Sequence, residues 1–123
     1  QQGDAIFRDA PSVVLEIDMD KEIVKRIFRL AQKHGTRVYA MVSNMSIAVE
    51  RRDFLQQTDC FICNQQEAGL LFSDNYMDCT ADQMRRILSE KVTRARIKRM
   101  IVTMGANGAV YAEMDGASGF CLL

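Results

Sequence analysis

Short β-branched or apolar runs alternate with segments of helical periodicity along most of this chain. That alternation restricts its fold more than any other feature. Val13-Val14-Leu15-Glu16-Ile17-Asp18, preceded by Pro11, reads as a strand. Asp20 caps a helix from Lys21 to Lys33, with Ile23, Val24, Ile27, Phe28 and Ala31 on one buried stripe and Gly35 as a left-handed stop. Arg37-Val38-Tyr39-Ala40-Met41-Val42 is the next strand. A helix is predicted over Ala48 to Gln57, with Val49, Phe54 and Leu55 inward and Arg51, Arg52 and Asp53 outward. Cys60 to Cys63 reads as a strand and Gln65 to Phe72 as a short helix. Thr80-Ala81-Asp82-Gln83 has the form of a capping box and opens a helix to Ala95, with Met84, Ile87, Leu88, Val92 and Ala95 on one face. Met100 to Met104 is an apolar strand, hence central, and a turn at Gly105 to Gly108 leads to the alternating hairpin partner Ala109 to Met114.

Strands separated by such helices imply right-handed βαβ units and a mostly parallel sheet. The chain has 123 residues, one domain or part of one, with no repeat, low-complexity segment or linker. It lacks an initiator Met and ends on the apolar Gly119-Phe120-Cys121-Leu122-Leu123, which reads as a strand cut from its continuation. The expectation is a partial domain. Sixteen basic residues balance 16 acidic ones, which argues against a strong grip on nucleic acid or an anionic membrane. No apolar run approaches the roughly 18 residues that span a bilayer, and the start Gln1-Gln2-Gly3-Asp4 is too polar for a signal peptide. The four cysteines read as buried, reduced thiols, because Cys60 and Cys63 point to opposite faces of a strand; this fits a cytoplasmic protein. The eight methionines read as core filling.

Ligands of such sheets bind beyond the carboxyl ends of the strands. The residues there are Asp18, Ser43 with Asn44, Asn64 with Glu67, and Thr103 to Gly108. Asn64 and Glu67 offer hard oxygens suited to Mg²⁺ and its waters; equally, Asn64 can be a helix N-cap with Glu67 closing a capping box. The N–H groups of Thr103-Met104-Gly105-Ala106-Asn107-Gly108 can line a phosphate or nucleotide; the alternative is a tight β-turn at Asn107-Gly108. Asp18 can accept from substrate hydroxyls or belong, like Asp20, to helix capping. His34, the only histidine, suits the last turn of a helix. The basic run Lys91, Arg94, Arg96, Lys98 and Arg99 reads as a solvated face.

Two segments resemble the ribokinase-like (PfkB) carbohydrate kinase family. Cys63-Asn64-Gln65-Gln66-Glu67-Ala68-Gly69-Leu70-Leu71 resembles its P-N-x-x-E-x-x-x-L segment, with Cys63 in place of proline. Ile101-Val102-Thr103-Met104-Gly105-Ala106-Asn107-Gly108 is similar to its V-T-x-G-x-x-G strand and turn. Val42-Ser43 resembles a turn of the pseudouridine kinase branch, without its proline. The resemblance implies an α/β fold, Rossmann-like and three-layered (α/β/α), with a mostly parallel sheet, here in part. It implies a central piece of an ATP-dependent kinase acting on a hydroxyl of a sugar or nucleoside. ATP and Mg²⁺ are the implied cofactors, with room for a monovalent cation such as K⁺; the family commonly forms a homodimer through a lid that is absent from this sequence, which leaves the oligomeric state open. Asn64 and Glu67 are assigned to Mg²⁺ and phosphate, Thr103, Gly105 and Gly108 to the nucleotide pocket, and Asp18 and Asn44 to the substrate. The family's glycine-rich start and its D-T-x-G-A-G-D motif, which carries the catalytic base, are absent from this sequence. The base is expected beyond Leu123, and these 123 residues alone are expected to be inactive. The competing class is a non-enzymatic α/β module that binds a nucleotide or a protein.

Overall fold

The computed structural model describes residues 12–121. Pro11 and Leu122-Leu123, which figure in the sequence reading, lie outside them. The elements are β1 (Ser12–Glu16), α1 (Lys21–His34), β2 (Arg37–Met41), α2 (Met45–Glu50), α3 (Arg52–Gln57), β3 (Cys60–Asn64), α4 (Gln65–Phe72), α5 (Ala81–Ala95), β4 (Arg99–Thr103), a 3₁₀ turn (Gly105–Asn107), β5 (Ala109–Glu113) and β6 (Ser118–Cys121).

The six strands form one sheet in the order of the sequence. β1 to β4 pair in parallel, and β5 and β6 join antiparallel. The fold is α/β with a mostly parallel sheet, as the alternation of runs predicts. Right-handed crossovers in a sheet laid down in sequence order bring every connecting helix to the same side. Burial agrees. Leu15, Ala40, Phe61, Met100 and Ala112 form one row across five strands, and all are buried. They join α1 residues Val24 and Phe28 and α5 residues Met84 and Leu88 in one core. On the other face Val14 is 72% and Met41 45% exposed, and Tyr39, Ile62 and Ile101 are half-buried. The described residues thus supply the sheet and one helical layer of the three-layer arrangement.

Local signals account for most helix boundaries. Asp20 accepts from the N–H groups of Glu22 and Ile23, and Gly35 stops α1 at φ 64°. Thr80 and Gln83 close the capping box of α5. His34 lies in the last turn of α1. Four expectations need correction. Ile23 is 48% exposed, because the stripe that buries is Val24, Phe28 and Ala31, and Ile23 falls outside that arc. The helix predicted over Ala48 to Gln57 is two helices that begin earlier, at the Asn44 cap, and break at Arg51 (φ −115°, ψ 40°). Met45, Met84, Met100 and Met104 are buried, but Met19, Met41, Met77 and Met114 are exposed. Cys60 and Cys63 are buried, Cys79 is half-buried, and Cys121, on the edge strand β6, is exposed; all four are free thiols. The basic run is partly answered by acids, through Arg94–Glu90, Lys98–Asp59 and Arg99–Glu113.

Candidate functional site

Asn64 is both the last residue of β3 and the N-cap of α4. Its Oδ1 accepts from the Glu67 N–H at 2.8 Å, and Glu67 Oε1 accepts from the Asn64 N–H at 2.9 Å. This is a closed capping box, so both side chains serve the helix start. It does not use them up. Asn64 Nδ2 and the second Glu67 oxygen have no hydrogen bond among the described residues.

Asn64 lies opposite Thr103 in the β3–β4 register. Thr103 is half-buried, and its Oγ1 donates to the Cys63 carbonyl at 3.5 Å, near the limit for such a bond. The chain then makes one 3₁₀ turn rather than the β-turn at Asn107-Gly108. Gly105 (φ 58°) opens it and Gly108 (φ 84°, ψ −134°) closes it, and the Met104 N–H reaches the Gly108 carbonyl at 2.8 Å. Positive φ favours glycine at both places. The N–H groups of Asn107 and Gly108 are spent inside the turn. Those of Gly105 and Ala106, both exposed, have no acceptor among the described residues. The structure therefore brings Asn64, Glu67, Thr103, Gly105 and Gly108 to one stretch of the sheet's carboxyl edge.

Asp18 and Asn44 form a second cluster on the same edge. The Asp18 carboxylate accepts from the N–H groups of Ser43 (3.4 Å) and Asn44 (2.9 Å). Asn44 Oδ1 accepts from the Ser46 N–H, which starts α2. Neither of the two roles foreseen for Asp18 covers this bond, which ties β1 to the β2–α2 turn. The sequence reading also missed Glu16, whose Oε1 accepts from Ser43 Oγ at 3.1 Å. Arg51, predicted to face outward, instead folds back. Its Nη1 donates to the carbonyls of Ile17 (2.9 Å) and Met19. A hint was available, since Glu50-Arg51-Arg52-Asp53 puts charge on every face of one helical turn.

The donor set bears on the metal. Among the described residues no three His, Cys, Asp or Glu side chains come together as a metal site. Glu67 alone, with one oxygen open, fits Mg²⁺ held mainly by waters and phosphates, not a cage built by the protein. Burial, reinforced by the Glu67 charge, pushes the Cys63 thiol far above its ordinary range. Burial likewise raises Cys60, to about 11. Both stay protonated at neutral pH, so neither is poised as a nucleophile. Cavities of about 500 and 350 Å³ open at the opposite edge of the sheet, around Thr36, Arg37 and Lys98. No helix among the described residues is long and apolar enough to cross a membrane.

Known proteins agree with this architecture. The ribokinase of Schizosaccharomyces pombe is 23% identical over 107 residues, covering 86% of this chain and 33% of its own. The solved ribokinase of Arabidopsis thaliana, complexed with ribose and ATP, superposes on all of this chain and 38% of its own (TM-score 0.79, 19% identity). The adenosine kinase of Sinorhizobium meliloti matches 96% of this chain and 36% of its own (TM-score 0.70, 21% identity). This chain thus spans about a third of the length of these proteins. The family described as pfkB family carbohydrate kinase matches residues 1–121. The chain belongs to the pfkB family of carbohydrate kinases.

Proposed function

We propose that this chain is the central, nucleotide-facing part of a kinase that moves the terminal phosphoryl group of ATP to a hydroxyl of a sugar or nucleoside. The observation that carries the reading is the Asn64–Thr103 pairing, which sets a capped helix start beside a glycine turn with two open N–H donors. Such donors suit phosphate oxygens. The acceptor class is supported by family membership and by the ribokinases and adenosine kinase named above. The share of those proteins that the chain covers supports residues 1–123 as one partial domain. Most of the acceptor pocket and the base that deprotonates the hydroxyl then belong to residues outside these 123, and the 123 alone transfer no phosphoryl group.

Each residue has a role within that reading. The Gly105 and Ala106 amides bind phosphate oxygens, the Thr103 hydroxyl exchanges its long bond to the Cys63 carbonyl for one to phosphate, and Gly108 holds the turn in shape. Asn64 Nδ2 donates to the same phosphates. Glu67 would hold Mg²⁺, and the bound ion would neutralise charge on the phosphates. Asn44 keeps its amide N–H₂ for the acceptor side, and Asp18 acts by fixing the turn that presents Asn44. Catalysis of this kind is mainly positioning and charge stabilisation.

Glu67→Gln in the full-length protein separates the two jobs of this residue. Glutamine keeps an oxygen for the Asn64 N–H, so the cap survives, but the negative charge is gone. Phosphoryl transfer is expected to fall by about 10- to 100-fold, with a raised Mg²⁺ requirement and an unchanged melting temperature. Wild-type turnover across a Mg²⁺ titration would sink the assignment. A screen of the wild-type enzyme against sugars and nucleosides identifies the acceptor.

A further inference from the structure

The outer side of the helical layer carries a pocket of about 210 Å³ lined by Arg52, Phe72, Lys91, Arg94 and Ala95. Three of the five are cations, and none is an acid. The contrast with the 350 Å³ cavity is informative. There Arg37, Lys98 and Arg99 face Asp59, Glu113 and Asp115, so charge cancels. From this lining, whose only charges are positive, we infer that the small pocket is a binding site for a soluble phosphate monoester or inorganic phosphate.

Its three cations come from separate constraints. Arg52, at the start of α3, donates from Nη2 to the Leu71 carbonyl at 2.7 Å, satisfying an orphan acceptor in the last turn of α4. That bond fixes the guanidinium and leaves its other donors open, so a ligand need not order it. Lys91 and Arg94 lie three residues apart on one face of α5, where like charges repel. Arg94 has an exposed partner in Glu90, but Lys91, half-buried, has no acidic partner among the described residues. A doubly charged anion relieves that repulsion and matches the forked donors of Arg52 and Arg94. Half-buried Phe72 forms an apolar wall beside them, suited to the carbon body of an ester. The site is separate from the nucleotide edge. Asn64 and Phe72 sit at opposite ends of α4, about 12 Å of helix apart.

Equilibrium dialysis of the full-length protein with radiolabelled inorganic phosphate, at fixed ionic strength, tests the inference. The wild type is expected to bind saturably, and Lys91→Glu and Lys91→Ala to weaken that binding at least tenfold. Both variants should keep the wild-type melting temperature and ATP affinity. Glycerol 3-phosphate should compete, whereas chloride at equal ionic strength should not. Equal binding by wild type and Lys91→Glu would overturn the inference, as would displacement by chloride. So would association with phosphatidic acid vesicles in the absence of any binding of free phosphate. Loss of kinase activity in Glu67→Gln leaves this site untouched, so the two proposals fail separately.

Discussion

Asp18 and Glu67 are both carboxylates just beyond the carboxyl ends of parallel strands, yet the chain uses them differently. Glu67 bonds three residues back, to the Asn64 N–H, and its spacing made that cap legible in the sequence. Asp18 bonds 25 and 26 residues ahead, to Ser43 and Asn44, and no local pattern encodes such a partner. Only parallel pairing of β1 with β2 brings those amides within reach. The same pairing geometry explains the thiols. Cys60 and Cys63 were readable as inert because their strand was readable, and burial raises both above the ordinary value of 9.0. The sign of the consequence follows. Unfolded thiols ionise near 9 while the folded ones stay protonated, so the unfolded state gains as pH rises. Stability should be unaffected by these groups below about pH 8 and should fall from about pH 9 to 11. Urea unfolding across that window checks it, and the loss should shrink in Cys60→Ala. A flat profile would show that neither thiol is shielded as described.

At the scale of elements, α1 and α5 follow from caps, stripes and stops that lie within the segment itself. The α2–α3 break does not. Arg51 leaves the helical path while its guanidinium bonds the Ile17 and Met19 carbonyls and its charge lies 5.9 Å from the Phe54 ring centre. Those partners belong to another part of the chain, so periodicity alone predicts one unbroken helix. The glycine turn was legible from its residues but not in its shape. A 3₁₀ turn spends two of its amides inside and leaves two open. Its closing residue, Gly108, sits at φ 84° and ψ −134°, a conformation costly for any residue with a Cβ. Gly108→Ala is therefore expected to destabilise the protein by about 1–3 kcal/mol. A shift in the urea midpoint at constant slope measures it; an unshifted midpoint would mean the turn relaxes without strain.

For the whole molecule, the sequence announced a mostly parallel sheet but not which face stays open. Sidedness follows from strand order, and strand order is not written in any one segment. The open face carries Val14, Met41 and Ile101 without a helical cover among the described residues. Apolar surface of that kind associates in water. The 123-residue chain by itself is expected to bind a hydrophobic dye and to self-associate as concentration rises. Light scattering that reports a strict monomer at high concentration would contradict this. The order β1-β2-β3-β4-β5-β6 also has a kinetic side. Each strand pairs with the one synthesised just before it, so no strand waits for a distant partner. The closures that join the parallel strands span 21 to 39 residues, whereas the antiparallel pairs of β5 and β6 close over 6 to 14, so the hairpin end of the sheet is expected to form fastest. During translation each new strand meets a ready edge, and the sheet can grow in step with the ribosome.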